Sequence, residues 1–414
     1  MFAKLALQSL FDRKGSVLLS LMAMTVSIFV LLGVEHIRHQ TKENFSNTVS
    51  GVDLVVGART GSLNLLLYSI FRIGAPTNNI SWETYEAIAS NAKVKWAVPL
   101  SLGDSHKGFR VLGTTGDYFD YFSYANQQHL NFAKGQAFHQ VFDVVLGAQV
   151  AKKLGYQLGD KLALAHGIAA TSFSLHDDRP FTVVGILAPT GTPVDQTLHV
   201  SLQGLEAIHI DWQQGVKMPG STITQAELEK AKLQPKSVTA LILGLESKMA
   251  TFRVQRAINQ YKQEPLLAIL PGVALSELWQ MMGVIENTLL LVSALVFIAA
   301  CLGVSAMLLS SIRERQHEIQ LLRVIGAPAY FLFFLIELEA LFIALLSCVL
   351  GAGLLSVCLV FLQNYLLGHF GLHIGSNFLT GNNLSLMLAV ICASVLVAII
   401  PALSGYRQAR IVKR

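Results

Sequence analysis

The stretch Leu289–Ile312 reads LLLVSALVFIAACLGVSAMLLSSI and contains no charged residue. A helix of about 20 apolar residues crosses the roughly 30 Å hydrocarbon core of a bilayer. Three other stretches are comparably apolar, namely Val17–Val34, Ala327–Leu362 and Leu384–Leu403, and only Ala327–Leu362 contains charged residues. The sequence therefore predicts an α-helical membrane protein with four transmembrane helices.

The overall composition agrees with this class. Hydrophobic residues make up 52% of the 414 residues and charged residues 14%, whereas soluble domains average roughly 25% charged residues. The formal net charge is only +5, which is too small to create the large basic field that binds a polyanion. We therefore exclude a disordered protein and expect no nucleic-acid partner.

The distribution of basic residues predicts the orientation in the membrane, because Lys and Arg accumulate on the cytoplasmic flanks of transmembrane helices. They precede the first apolar stretch, lie between the second and third, and follow the fourth: Lys4, Arg13, Lys14, Arg313, Arg315, Arg323, Arg407, Arg410, Lys413 and Arg414. The loop at residues 363–383 has none. Both termini are therefore predicted to be cytoplasmic, and the large polar block faces outward.

The order of apolar and polar stretches predicts the domain organisation. The segments are residues 1–16 (amphipathic cytoplasmic segment), 17–36 (first transmembrane helix), 37–283 (periplasmic domain), 284–312 (second helix), 313–327 (cytoplasmic coupling helix), 328–362 (third helix), 363–383 (periplasmic loop), 384–405 (fourth helix) and 406–414 (cytoplasmic tail). Short strand and helix patterns predict a large α/β periplasmic domain. Residues 50–114 and 237–275 would form a discontinuous α/β subdomain, and residues 115–236 an inserted β-rich subdomain.

The sequence contains no nucleotide-binding or hydrolytic motif. It lacks GxxxxGK[ST], whose backbone cradles phosphates, and it lacks GxSxG and HExxH. Histidines and acids of the outer domain raise the question of a metal site: His166, His176, Asp177, Asp178, His199 and His209. Their spacing matches no compact set of zinc ligands. We therefore predict solvated loop residues there. His369 and His373 would share a face if their loop is helical, but histidine is common at helix ends near a membrane, so we predict no metal at either place.

Two acidic residues, Glu337 and Glu339, interrupt the third apolar stretch. A charged side chain at the bilayer centre opposes insertion by roughly 2.5–3.5 kcal/mol. We therefore predict that both face the helix bundle or the hydrated interface, in a structural or coupling role.

Small residues recur four positions apart in two of the apolar stretches. Ala299 and Gly303 form such a pair on the second predicted helix, and Ser347 and Gly351 on the third. Pairs of this kind let helix backbones approach closely. Packing within one subunit and a dimer contact remain two open interpretations.

The predicted cytoplasmic loop has the most informative sequence, MLLSSIRERQHEIQLLRVIGA at residues 307–327. It indicates a charged helix with Ile319 and Leu322 on one side, which ends at Gly326. A short amphipathic helix can dock into a groove on a soluble partner. The residues predicted to make this coupling contact are Arg313, Glu314, Arg315, Glu318, Ile319, Leu322 and Gly326.

This run resembles the ERxxEI…R…xGA stretch of the MacB/FtsX-type ABC transporter permeases, with Arg315, Glu318 and Ile319 on its core. Glu339 falls on the acid that this family carries early in its third span. Residues 7–13, 145–160, 181–186 and 401–402 also resemble family segments, so that the resemblance covers nearly the whole chain.

The resemblance implies a non-catalytic permease subunit in the inner membrane of a bacterium, with no cofactor of its own. A separate ABC ATPase subunit would bind ATP and Mg²⁺, and the permease would form a homodimer or pair with a homologous permease. Further implied partners are membrane lipids and a periplasmic adaptor, lipoprotein or hydrolase. The implied function is mechanotransmission that drives export or release of a periplasmic or membrane substrate. The alternative is an FtsX-like regulator that transmits ATPase motion to a periplasmic partner such as a cell-wall hydrolase.

Overall fold

The computed structural model describes residues 2–125, 127–167, 177–210, 212–213, 216–217, 233–314, 321, 324, 326–370, 375 and 380–411. The chain forms two compact units. The first, which we call the membrane unit, consists of Met1–Thr41, Met282–Tyr365 and Ile374–Arg414. The second, which we call the outer unit, consists of Lys42–Met281 and Leu366–His373.

The described residues form helices that we number in chain order. They are α1 (Phe2–Asp12), α2 (Lys14–Asn47), α3 (Ser62–Ser69), α4 (Trp82–Ala89), α5 (Asp117–Tyr121), α6 (Ala148–Leu154), α7 (Leu202–His209), α8 (Thr251–Asn259), α9 (Pro271–Glu314), α10 (Ala329–Phe370) and α11 (Gly381–Ile411). Two 3-10 turns, Pro193–Gln196 and Lys248–Ala250, complete the helical segments of the described part.

Within the described residues, four helices are long and apolar enough to cross a membrane: α2, α9, α10 and α11. They coincide with the four predicted apolar stretches, and the predicted membrane fold is confirmed. All four continue beyond their apolar stretch, since α2 runs on to Asn47, α9 starts at Pro271, α10 runs on to Phe370 and α11 runs on to Ile411. Proline suits the first turn of α9, where its missing N–H has no helical partner to lose.

The outer unit is a mixed α/β domain around one large sheet. Its strands are β1 (Leu54–Ala58), β2 (Ile80–Ser81), β3 (Val94–His106), β4 (Phe109–Thr114), β5 (Ser123–Tyr124), β6 (Gln128–His129), β7 (Phe132–Gly135), β8 (Asp143–Leu146), β9 (Lys161–Leu162), β10 (Ala165–His166), β11 (Phe181–Leu187), β12 (Thr197–Ser201), β13 (Trp212–Gln213), β14 (Val216–Lys217), β15 (Ser237–Val238), β16 (Ala240–Leu245) and β17 (Leu266–Ile269).

The order of the large sheet is β17-β1-β16-β3-β4-β12-β8-β11-β7, with β10 paired to β3 and β9 to β11. Strand β11 runs parallel to β8, and β12 runs parallel to β4. The long strand β3 pairs with β16 through its first half and with β4 through its second half. The strands of the predicted inserted subdomain therefore continue the sheet of the predicted α/β subdomain, and β3 is common to both.

Helices cover both faces of the sheet at β1, and this explains why β1 reads as an uninterrupted apolar run. Successive strand residues point to opposite faces. Val55 packs in one cluster with Leu65 of α3, whereas Leu54 packs in another with Val254 and Ile258 of α8. A third cluster fills the other end of the sheet around Val144, Leu146, Val150, Phe181 and Val183.

Candidate functional site

The predicted coupling residues fall, in the sequence, between the last turn of α9 and the start of α10. Arg313 and Glu314 lie in the last turn of α9, where the Ser310 hydroxyl donates a 3.4 Å hydrogen bond to Glu314 Oε1. Gly326 has a φ of +101°, a left-handed conformation that favours glycine, three residues before α10 begins. The other predicted contacts, Arg315, Glu318, Ile319 and Leu322, lie outside the described residues.

Glu339 is the centre of a buried polar contact inside the membrane unit. Only 2% of it is exposed, although it lies on the otherwise apolar helix α10. The Ser9 hydroxyl donates a 2.5 Å hydrogen bond to Glu339 Oε1, and Arg13 Nη2 lies 3.3 Å from Oε2. Arg13 Nη2 also donates a 2.8 Å hydrogen bond to Ser9 Oγ. These three side chains join the N-terminal end of the chain to α10.

Glu337 is placed differently, although it is only two residues away. It is half-buried, and neither carboxylate oxygen has a hydrogen-bond partner among the described residues. Two residues correspond to more than half a helical turn, so that Glu337 points away from the contact that Ser9 and Arg13 make. Only Glu339 of the two is joined to another helix within the described part of the chain.

The two small-residue pairs also differ in their surroundings. Ser347 of α10 donates a 3.5 Å hydrogen bond to the Leu21 carbonyl, and a Cβ on Gly351 would approach Ile28 to 3.1 Å. This pair therefore packs against α2 within the subunit. Ala299 and Gly303 of α9 are exposed, and a Cβ on Gly303 would meet no atom within 4 Å.

Two of the long helices, α2 and α9, make side-chain contacts with each other at two positions. In the membrane unit, Arg38 Nε of α2 donates a 3.0 Å hydrogen bond to Glu286 Oε2 of α9. Arg38 Nη1 also bonds Glu35 Oε2 at 3.1 Å. In the outer unit, the ring of Phe45 lies edge-on to Trp279, with centroids 5.7 Å apart.

These two helices are adjacent in the sequence to two neighbouring strands of the outer sheet. Helix α2 ends at Asn47, shortly before β1, and α9 begins at Pro271, two residues after β17 ends. Strands β1 and β17 are hydrogen-bonded neighbours, with Val55 opposite Ile269. Phe45 of α2 and Ala274 of α9 belong to the hydrophobic core of the outer unit. Within the outer unit, the end of α2 and the start of α9 thus pack at its core.

The histidines and acids of the outer unit occupy different environments. The carboxylate of Asp104 is 2% exposed and lies 3.5 Å from His209 Nε2, and His166 is opposite Asp104 in the β3–β10 register. Asp177 and Asp178 are exposed. His369 lies in α10, and His176 and His373 lie outside the described residues. In the described part of the chain, no three His, Cys, Asp or Glu side chains are grouped to hold a metal ion.

The prediction of a solvated loop residue is wrong for His199. It lies on β12 and is fully buried, with its ring 5.4 Å from Tyr118 and 5.9 Å from Phe119. Its strand is central, with β4 on one side and β8 on the other. Burial, and secondarily the positive charge of Arg72, lower the pKa of His199 to about 3.

We expect His199 to make the outer unit sensitive to acid. In the unfolded chain, histidine has a pKa of about 6.5, so below that pH the unfolded state binds a proton that the folded state rejects until about pH 3. This opposes folding by about 1.4 kcal/mol per pH unit below 6.5 and contributes nothing above it. Replacing His199 with Leu should therefore reduce the stability lost between pH 7 and pH 5 by about 2 kcal/mol.

Urea unfolding of the full chain, followed by tryptophan fluorescence, measures this difference, since all four tryptophans lie between residues 82 and 279. The exposed His129 provides the matched control, because His129→Gln should leave the pH dependence unchanged. Equal loss of stability in the parent protein and in His199→Leu would contradict the expectation.

Two family descriptions match the sequence. The MacB-like periplasmic core domain matches residues 17–261, and the FtsX-like permease C-terminal region matches residues 290–409. The first match alone spans more than half of the 414 residues. No curated protein matches the sequence.

Several solved structures are similar to the chain. The periplasmic region of MacB from Actinobacillus actinomycetemcomitans is 10% identical, with a TM-score of 0.36 over 56% of this chain and 94% of that one. The extracellular domain of the noncanonic ABC-type transporter YknZ from Gram-positive bacteria is 12% identical, with a TM-score of 0.31 over 53% of this chain and 98% of that one. Similarity at this level adds nothing to the two family matches.

Proposed function

The chain belongs to the family of MacB/FtsX-type ABC transporter permeases, and from this premise we propose that it couples ATP hydrolysis by a separate ATPase subunit to movement of its outer unit. Membership makes it a membrane protein with a periplasmic domain and the transmembrane subunit of an ABC system.

The observation that carries the proposal is the continuity of α2 and α9. At 1.5 Å per residue, their 34 and 44 residues correspond to about 51 and 66 Å, well beyond the roughly 30 Å of a bilayer core. Within the outer unit, both helices have residues that pack at the hydrophobic core. The strands next to them in the sequence, β1 and β17, are neighbours in one sheet. We propose that a displacement of either helix is passed on to the sheet.

At the other end of α9, we propose that the connection to α10 contacts the ATPase. The contact would use Arg313 and Glu314, with Arg315, Glu318, Ile319, Leu322 and Gly326 following in the sequence. A short charged helix with a small apolar side suits a groove on a soluble protein. The ATPase would hold ATP and Mg²⁺, because this sequence contains no phosphate-binding loop.

We propose that the termini lie in the cytoplasm of a bacterium and that the chain lies in its inner membrane. ATP-driven closing of the partner would move the inner connection, and the helices would pass the movement to the periplasm. The result would be export or release of a periplasmic or membrane substrate. Two copies of this chain, or one copy with a homologous permease, would form the working unit, and a periplasmic adaptor, lipoprotein or hydrolase would bind the outer unit.

The test is the ATP turnover of the copurifying ATPase, alone and with this chain in nanodiscs. We expect no turnover by this chain alone and a changed turnover of the partner when this chain is present. Glu318→Lys should abolish this change, because it reverses a charge in the proposed contact. Glu83→Lys makes the same reversal on the exposed face of α4 and should have no effect. Turnover by the isolated chain, or a partner that does not respond to it, would refute the proposal.

A further inference from the structure

An apolar groove lies in the membrane unit between the N-terminal end of the chain and α10. It has a volume of about 490 Å³. One wall comes from α1 and the start of α2, and the other from α10; the wall residues include Leu7, Phe11, Leu18, Phe342, Leu346 and Val349. Several of these large side chains are exposed, among them Phe11 at 74% and Leu346 at 50%.

Among the residues whose side chains the structure describes, Lys14 is the single charged one that lines this groove. It is exposed at the first position of α2, and it forms no ion pair with the described residues. The adjacent Arg13 is held by Glu339 and Ser9 and does not line the groove. The groove therefore combines an apolar interior with one positive charge that has no protein counterpart in the described part of the chain.

The position of Lys14 in the sequence indicates the depth of the groove in the bilayer. The first apolar stretch begins at Val17, so Lys14 lies where the hydrocarbon meets the polar headgroups. The groove follows α2 from Lys14 to Leu21, which is about 10 Å at 1.5 Å per residue. A ligand that matches this arrangement carries a negative charge at one end and an apolar chain at the other.

We propose that this groove binds an anionic phospholipid, with the phosphate beside Lys14 and an acyl chain along Leu18 and Leu346. The lipid fills the space between α1 and α10, the same two segments that Ser9 and Glu339 join. Leu396 of α11 is exposed in the same unit but does not line this groove.

Quenching of an introduced tryptophan by brominated lipids tests this proposal. The full chain, with Leu346→Trp, is placed in nanodiscs containing equal amounts of phosphatidylglycerol and phosphatidylcholine, with bromine on the acyl chains of one or the other. One lysine near the surface favours an anionic lipid by about 1 kcal/mol, so we expect about fivefold enrichment of phosphatidylglycerol at residue 346. Both leaflets have the same composition, so the result does not depend on the proposed orientation or on an ATPase.

Matched variants make the result specific. Phe342→Trp is a second reporter in the groove, and it exchanges one aromatic ring for another. Leu396→Trp, at an exposed position outside the groove, should show no lipid preference. Lys14→Glu should remove the enrichment at both groove reporters, whereas Lys42→Glu, at the far end of α2, should leave it intact. Native tryptophans are corrected for with the parent protein.

Three outcomes would overturn the proposal. The first is equal quenching by the two lipids at residues 342 and 346. The second is an enrichment that survives Lys14→Glu. The third is protection of both reporters from both lipids, which would show that a protein helix, from a second copy or another partner, occupies the groove.

Discussion

Replacing Glu339 with alanine should lower the free energy of unfolding of the membrane unit by about 3–5 kcal/mol, the usual cost of leaving one member of a buried ion pair unpaired. Arg13 would lose the carboxylate that lies 3.3 Å from its Nη2, and Ser9 would lose the acceptor of its hydroxyl hydrogen. Replacing Arg13 and Glu339 together with methionine should recover most of the loss, because apolar side chains can substitute for a complete buried pair.

Glu337→Ala is the matched control for this prediction. It removes the same side chain two residues away, where the carboxylate has no hydrogen-bond partner among the described residues. We expect an unchanged or higher stability. The buried thiols of Cys301 and Cys348 report unfolding through a thiol-reactive dye, after the exposed Cys392 is replaced with serine. Equal effects of Glu337→Ala and Glu339→Ala would show that Ser9 and Arg13 do not stabilise the unit.

The sequence was sufficient to locate the membrane-spanning helices, because the free-energy cost of placing polar groups in hydrocarbon is large and local. It was insufficient to locate their ends. Helix α2 continues to Asn47 and α9 starts at Pro271. Their polar extensions are stabilised by contacts with residues distant in the sequence, such as Arg38 with Glu286 and Phe45 with Trp279. Such contacts leave no local signal.

The same distinction applies to individual side chains. That Glu339 faces another helix follows from the cost of exposing a carboxylate to lipid, but its partner Ser9 is 330 positions away in the sequence. A weak signal existed, since Ser9 and Arg13 are polar and four residues apart, a spacing that puts both on one face of a helix. His199 had a similar signal in its apolar neighbours Leu198 and Val200, but the sheet order that buries it depends on strands from distant parts of the chain.

If α2 and α9 transmit movement, then a break in α9 should abolish transmission without preventing folding of either unit. Gly283 is the suitable position, because it lies inside α9 and an added Cβ would meet no atom within 4 Å. Proline there removes a backbone hydrogen bond and kinks the helix, at a cost of about 3 kcal/mol or more. Alanine at the same position stiffens the helix and favours it by roughly 1 kcal/mol. The two substitutions therefore change the rigidity of α9 in opposite directions at one open site.

The measurement is the distance between a spin label on the exposed Lys95 of the outer unit and one on the exposed Leu302 of α9, with the native cysteines replaced and the partner ATPase bound. We expect ATP to shift this distance in the parent protein and in Gly283→Ala, and to leave it unchanged in Gly283→Pro. Near-ultraviolet dichroism should show that all three outer units remain folded. An ATP-dependent shift of full size in Gly283→Pro would mean that α9 is not the route, since a kinked helix cannot pass an axial displacement to the strand β17 that precedes it.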